Sequence, residues 1–171
     1  MGAQVRERAA LAIAPSARAR TGLVSEIASD VDFEAKGTGR AVSAALAPGL
    51  RVSGHAELLR RAIENILRDA VRFSPDGGVV SVTLATLNSS GKRKALRLEV
   101  RDHGPGVPEA SLADIFWPFF RVETARDRDT GGAGIGLAIV ERSVRLHGAT
   151  VRADNAEGGG LELVIELALT P

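Results

Sequence analysis

The chain has no cysteine and no tyrosine, one methionine, one tryptophan and only five phenylalanines in 171 residues. Without cysteine there are no disulfides and no thiolate metal sites, a composition that fits a reducing compartment. An excess of one charge sign is also lacking: 22 Lys and Arg stand against 21 Asp and Glu, for a net charge of +1. That balance gives no electrostatic footprint for nucleic acid or for direct contact with an anionic membrane. No apolar run reaches the roughly 20 residues of a membrane span. Residues 1–20 carry scattered arginines and one short apolar patch, so no signal peptide is read there.

What is present suits a globular domain: 44% hydrophobic and 25% charged residues, at a length that favours one core. Residues 1–20 read as an extension, either the end of an upstream helix or an unstructured lead, and residues 21–171 as the domain. A first helix is predicted from Thr21 to about Ala35, with Leu23, Val24, Ile27, Val31 and Phe33 as core candidates and Gly37-Thr38-Gly39 as its stop. Two strands, Arg40 to Leu46 and Leu50 to Ser53, lie about Pro48-Gly49. Val79 to Leu87 and Ala95 to Val100 alternate as strands around an Asn88–Lys92 turn. A short helix near Ser111 to Phe116, a helix from Ile135 to Leu146, and a last hairpin of Thr150–Ala153 with Leu161–Leu169 complete the chain. Helices mixed with antiparallel hairpins, without strict βαβ alternation, predict an α+β two-layer sandwich.

Three segments carry chemistry. Gly131-Gly132-Ala133-Gly134-Ile135-Gly136 runs straight into the last predicted helix. Glycines allow close backbone approach, and a helix start offers unpaired N–H groups and a positive dipole end, so together they make a phosphate cradle. The loop before it carries Arg121, Arg126 and Arg128, cations able to follow a polyphosphate; it reads as a lid over a nucleotide. A glycine run alone can equally be a helix entrance. In the second segment, Asp102-His103-Gly104-Pro105-Gly106 follows a strand. A buried Asp there accepts from an exocyclic amine while the glycines leave room for a flat ring; the plain alternative is an Asx turn. In the third, Leu58, Leu59, Ala62, Ile63, Ile66, Leu67, Ala70 and Val71 form the buried stripe of an amphipathic helix. Asn65 and Asp69, four apart, share one side, and Arg72 lies three beyond. They suit a hydrated Mg²⁺ and a phosphate, or simply a solvated helix face. Ser74-Pro75-Asp76-Gly77-Gly78 stops this helix.

In this order and at these separations, the segments resemble the catalytic and ATP-binding domain of bacterial sensor histidine kinases. Ile63 to Pro75 resembles the N box, DHGPG the G1 box, Ile115 to Phe120 the F box, and GGAGIGLAIV the G2 box. The likeness covers about Leu23 to Leu169 and looks closest to the proteobacterial envelope-stress branch. It implies the Bergerat fold, a mixed, mostly antiparallel sheet with helices on one face. It also implies ATP and Mg²⁺ as cofactors and two-component signalling as the setting. Asp102 would bind the adenine amine, Gly104 and Gly106 would shape that pocket, and Phe73 would pack on the base. Asn65 and Asp69 take the N-box polar positions and the metal, and Arg72, Arg121 and Arg126 reach the phosphates. Gly132, Gly134, Gly136 and Leu137 would line the triphosphate.

Two departures qualify the resemblance. The second N-box position is Asp69 where the family has Asn. A carboxylate is a good Mg²⁺ ligand but adds negative charge beside a triphosphate and donates no hydrogen bond when ionised. The expectations are strongly Mg²⁺-dependent nucleotide affinity or, against it, a degenerate nucleotide-gated binding module. Second, none of His55, His103 and His147 sits in a phosphoacceptor motif. His55 reads as a helix-start residue, His103 as solvent-facing, and His147 as a cation at a helix end. The acceptor histidine is therefore expected on an upstream dimerisation module outside this chain, with a response regulator as indirect partner. The implied setting is a cytoplasmic domain of an inner-membrane sensor. Related ATPases of the fold carry a Glu where Asn65 stands; an amide cannot activate water, which favours kinase over hydrolase. A serine kinase of the anti-sigma type shares the fold and boxes and is the other alternative. Phe116, Trp117, Phe119 and Phe120 hold four of the six Phe and Trp residues, a cluster divided between anchoring the lid and docking the acceptor helices.

Overall fold

The computed structural model describes residues 17–88, 94–122 and 133–168. Strands and helices follow as β1 (Ala17–Arg20), α1 (Thr21–Lys36), β2 (Ala41–Leu46), β3 (Arg51–Gly54), α2 (Ala56–Phe73), β4 (Val79–Asn88), β5 (Lys94–Arg101), α3 (Gly136–Leu146), β6 (Thr150–Asn155) and β7 (Leu161–Ala168). The main sheet has the order β2-β4-β5-β7-β6. Only β2 and β4 run parallel, and the connection between them passes through α2, as a parallel pair requires. The other ladders are antiparallel.

Alternation decides which face is covered. Val80, Val82 and Leu84 of β4, Leu96, Leu98 and Val100 of β5, and Leu163, Ile165 and Leu167 of β7 are buried. Register aligns them in rows, Val82 beside Val100 beside Leu163 and Leu84 beside Leu98 beside Ile165. The same cluster takes in Val24, Ile27, Ala28 and Val31 of α1, Ala62, Ile63, Ile66, Leu67 and Ala70 of α2, and Val140 and Val144 of α3. The intervening residues Arg97, Glu99, Arg101, Glu162 and Glu166 point to the opposite face. The helices therefore cover one face, as expected for the two-layer sandwich. Leu67 is wholly buried, so Leu67→Ala should cost about 2–5 kcal/mol.

Local chemistry sets the ends of α2. Ser74 precedes Pro75, which drives Ser74 into extended backbone at φ −66° and ψ 145°. Its backbone N–H and its hydroxyl both donate to the Ala70 carbonyl, at 3.1 and 2.8 Å. At the other end His55 gives no side-chain cap. Instead its backbone N–H donates to Nε2 of His147 at the end of α3, at 2.9 Å.

Four readings need adjustment. Phe33, expected in the core, is 82% exposed; the strands on either side of Pro48-Gly49 form as expected, β2 on β4 and β3 on β1. The strand β1 falls inside the segment read as an extension; alternation is too short there to signal it, and its pairing to β3 supplies the order. Instead of one short helix before the aromatic cluster there are two 3₁₀ turns, Glu109–Ser111 and Asp114–Phe116. Pro118 drives Trp117 out of the helical region, to ψ 140°, and so ends the second turn. His147 is more than a helix-end residue: its Nε2 accepts the His55 N–H, and its Nδ1 lies 2.6 Å from the Ser143 carbonyl, to which it donates.

Candidate nucleotide site

The site is built along α2, whose end meets the loop after β5 and whose Asn65 and Asp69 meet the start of α3. Asp102 follows β5 directly and is 6% exposed. Its Oδ1 accepts from the Gly104 N–H at 2.8 Å and from the Leu161 N–H at 3.1 Å. Among the described residues no hydrogen bond falls on Oδ2, which is left to a ligand donor. Burial pushes the carboxyl above its ordinary range, while the two N–H donors pull it back down. Leu161 is a partner that the motif does not reveal.

Gly104 could carry no side chain: a Cβ built there would lie 2.6 Å from the Phe73 carbonyl oxygen and 3.1 Å from Oδ1 of Asp102. The loop after β5 thus presses on the last residue of α2. The Phe73 ring is 44% exposed, and the Arg72 guanidinium stands 5.4 Å from its centroid in cation–π range. The cation expected to reach the phosphates thus lies over the ring expected to pack on the base. Gly106 takes φ 71°, a left-handed conformation that suits glycine.

One turn back on α2, Asn65 and Asp69 face the start of α3. A Cβ built on Gly136 would lie 3.1 Å from Oδ2 of Asp69 and 3.9 Å from Cγ of Asn65. Both side chains are half-buried. Burial raises the Asp69 carboxyl above its ordinary range, and the charge of Arg72 partly offsets this. Two oxygen-bearing side chains at the edge of a gap suit a hard cation that keeps water and phosphate oxygens as its other ligands. Among the described residues no group of three His, Cys, Asp or Glu stands together, so a caged metal has no site there.

The start of α3 is uncapped by any side chain, with Ile135 preceding it. Its first N–H groups and positive dipole end are thus available to an anion. Leu137 packs against the core, so what it offers a ligand is its N–H. Gly134, at φ 66°, accepts from the Phe119 N–H at 2.8 Å. Phe119 itself takes φ 66°, a conformation that a bulky residue rarely adopts. This contact ties the aromatic cluster to the glycine run. Ile115 is buried and Phe116 packs on the core, whereas Trp117 and Phe119 are 67% and 74% exposed. Arg121 is exposed. Arg126, Arg128, Gly131 and Gly132 lie outside the described residues. His103 is exposed, as expected, with Nδ1 3.1 Å from the Val79 carbonyl.

Comparison with known proteins agrees with this architecture. The family described as histidine kinase-, DNA gyrase B-, and HSP90-like ATPase matches residues 54–171, and the chain belongs to it. Sensor histidine kinase CpxA of Escherichia coli K12 is 37% identical over 148 residues, which is 86% of this chain and 31% of that protein. Sensor protein QseC of the same strain is 40% identical over 116 residues, covering 68% of this chain and 23% of QseC. The chain thus spans under a third of the length of these relatives. The structure of the mycobacterial sensor histidine kinase MprB superposes with a TM-score of 0.79 at 29% identity, covering 91% of this chain and 99% of that one. The cytoplasmic segment of QseC gives a TM-score of 0.62 at 29% identity, covering 88% and 76%. Fold, motifs and relatives define an ATP-binding domain of the sensor-histidine-kinase type.

Proposed function

We propose that this chain binds ATP·Mg²⁺ and transfers the γ-phosphoryl group to a histidine on a separate dimerisation module. The carrying observation is that α2 joins the two parts of the site: its last residue, Phe73, meets the loop of the buried Asp102 at Gly104, and its Asn65 and Asp69 meet the open start of α3 at Gly136. Asp102 accepts from the adenine amine, Gly104 and Gly106 leave room for the base, and Phe73 flanks it. Asn65 and Asp69 would hold Mg²⁺, which neutralises phosphate charge when bound. The N–H groups of Gly136 and Leu137 face the triphosphate, with Gly132 and Gly134 shaping the backbone before them. Arg72, Arg121 and Arg126 supply cations for the terminal phosphates. Catalysis is then positioning and charge neutralisation. Asn65 has no basic side chain to activate water, which favours transfer over hydrolysis.

No helix among the described residues is long and apolar enough to cross a membrane. This is compatible with a cytoplasmic domain of a membrane sensor that signals through a response regulator. The test is incubation with γ-labelled ATP and a separately produced histidine module. Label on the module's histidine, lost in Asp102→Ala, is the expected result. Rapid ATP hydrolysis without label transfer would overturn the reading, and label on a serine of a partner would point to the anti-sigma-type kinase instead.

A further inference from the structure

Asn155, the last residue of β6, holds the adenine-side loop from behind. Its Oδ1 accepts from the Val107 N–H at 2.9 Å, and its Nδ2 donates to the Val107 carbonyl at 2.7 Å. One primary amide thus satisfies both backbone groups of Val107, as a neighbouring strand would. The fit is close: a Cβ built on Gly106 would lie 2.7 Å from the same Oδ1.

The turn that follows holds the other end of that loop. Gly158, Gly159 and Gly160 all take positive φ, at 85°, 98° and 94°. A Cβ on Gly160 would overlap the Asp102 carbonyl oxygen, so only glycine lets the turn come this near. The Leu161 N–H then reaches Oδ1 of Asp102, and the Asp102 N–H donates to the Leu161 carbonyl at 3.0 Å. The segment from Asp102 to Val107 is therefore clamped at both ends by one hairpin. Leu161 orients the carboxylate, and Asn155 fixes the distance of the glycine loop from it.

We propose that Asn155 is a positioning residue for adenine recognition. It sets where Gly104 and Gly106 stand relative to Oδ2 of Asp102, and so whether the base can present its amine in register. The inference rests on the reading of Asp102 as the base-binding residue. Asn155 and its two hydrogen bonds are exposed, so the fold depends little on them and recognition depends on them more.

The test uses the full chain as wild type, Asn155→Ala, Asn155→Asp and Asp102→Ala. Each is titrated with ATP and with inosine triphosphate, which carries a carbonyl where adenine carries its amine, and each is melted thermally. Asn155→Asp keeps the acceptor, removes the donor, and sets a carboxylate oxygen against the Val107 carbonyl. Expected for both Asn155 variants is an about tenfold loss of ATP affinity, little change for inosine triphosphate, and a melting midpoint near wild type. The preference for ATP therefore shrinks. An unchanged ratio of the two affinities in both variants overturns the inference, whether or not both affinities fall. Asp102→Ala separates the two claims. If it loses the ATP preference while the Asn155 variants keep theirs, only the positioning role fails. If it binds ATP like wild type, the base-binding reading fails and this inference with it.

Discussion

Gly136 and Asp69 face each other across the gap between α3 and α2, with room for a carboxylate and no more. A methyl group on Gly136 would stand 3.1 Å from Oδ2 of Asp69, closer than ordinary carbon–oxygen contact. Gly136 is the first residue of α3, where helix propensity counts for little. Gly136→Ala should therefore leave the melting midpoint near wild type while weakening ATP·Mg²⁺ binding by about five- to tenfold. Calorimetry with thermal melting checks it; affinity that survives the substitution would show that Asp69 does not face the ligand.

The Asp69 carboxyl is raised above its ordinary range by burial, against a smaller opposing effect of Arg72. An acid raised in the folded state contributes stability that is fully present below its unfolded value, about 3.9, and lost as pH rises through the raised one. Near neutral pH the charge therefore costs stability. Asp69→Asn should raise stability by on the order of 1 kcal/mol near neutral pH, and the gain should fade toward about pH 4. The same variant should make ATP affinity less dependent on Mg²⁺. Melts at both pH values and titrations with and without chelator decide; identical behaviour to wild type in both would remove Asp69 from the metal site.

Trp117 and Phe119 stand exposed, whereas Phe116 of the same cluster packs on the core beside the buried Ile115, and Phe120 is half-buried. That division gives them different work: the inner pair anchors, and the outer pair is available to a partner. Trp117→Ala should reduce phosphoryl transfer to a supplied histidine module about tenfold and ATP affinity less than twofold. Transfer rates and titration measured side by side check this, and equal losses would contradict it.

The periodic parts of the fold were legible in the sequence. The stripe from Leu58 to Ala70 and the alternation of Val80, Val82 and Leu84 against Leu96, Leu98 and Val100 state which side is buried, and burial is what fixes those elements. Around the candidate site the glycines were legible, because Gly104 and Gly106 stand where close backbone approach or a positive φ leaves no room for a side chain. What periodicity could not show depends on pairing at long range. β1 is ordered by β3, the second support of Asp102 comes from Leu161, and the ring of His147 is held by a backbone N–H at His55, 92 residues away.

That last bond joins the start of α2 to the end of α3 and makes its own prediction. Removing the imidazole leaves the His55 N–H without its acceptor and opens space beside Gly54, where the ring now packs so closely that a Cβ would overlap it. His147→Ala should cost about 1–3 kcal/mol of stability, with ATP affinity near wild type, since the bond lies at the far end of both helices from the site. Denaturant unfolding measures it, and a loss below about 0.5 kcal/mol would show the two helices to be held by packing alone.

The most direct measurement is calorimetric titration of this chain with ATP, with and without Mg²⁺, alongside Asp102→Ala. Binding on the order of micromolar that strengthens with Mg²⁺ and is lost in the variant is what a working nucleotide site predicts. No binding in either condition, or full binding by Asp102→Ala, would contradict it.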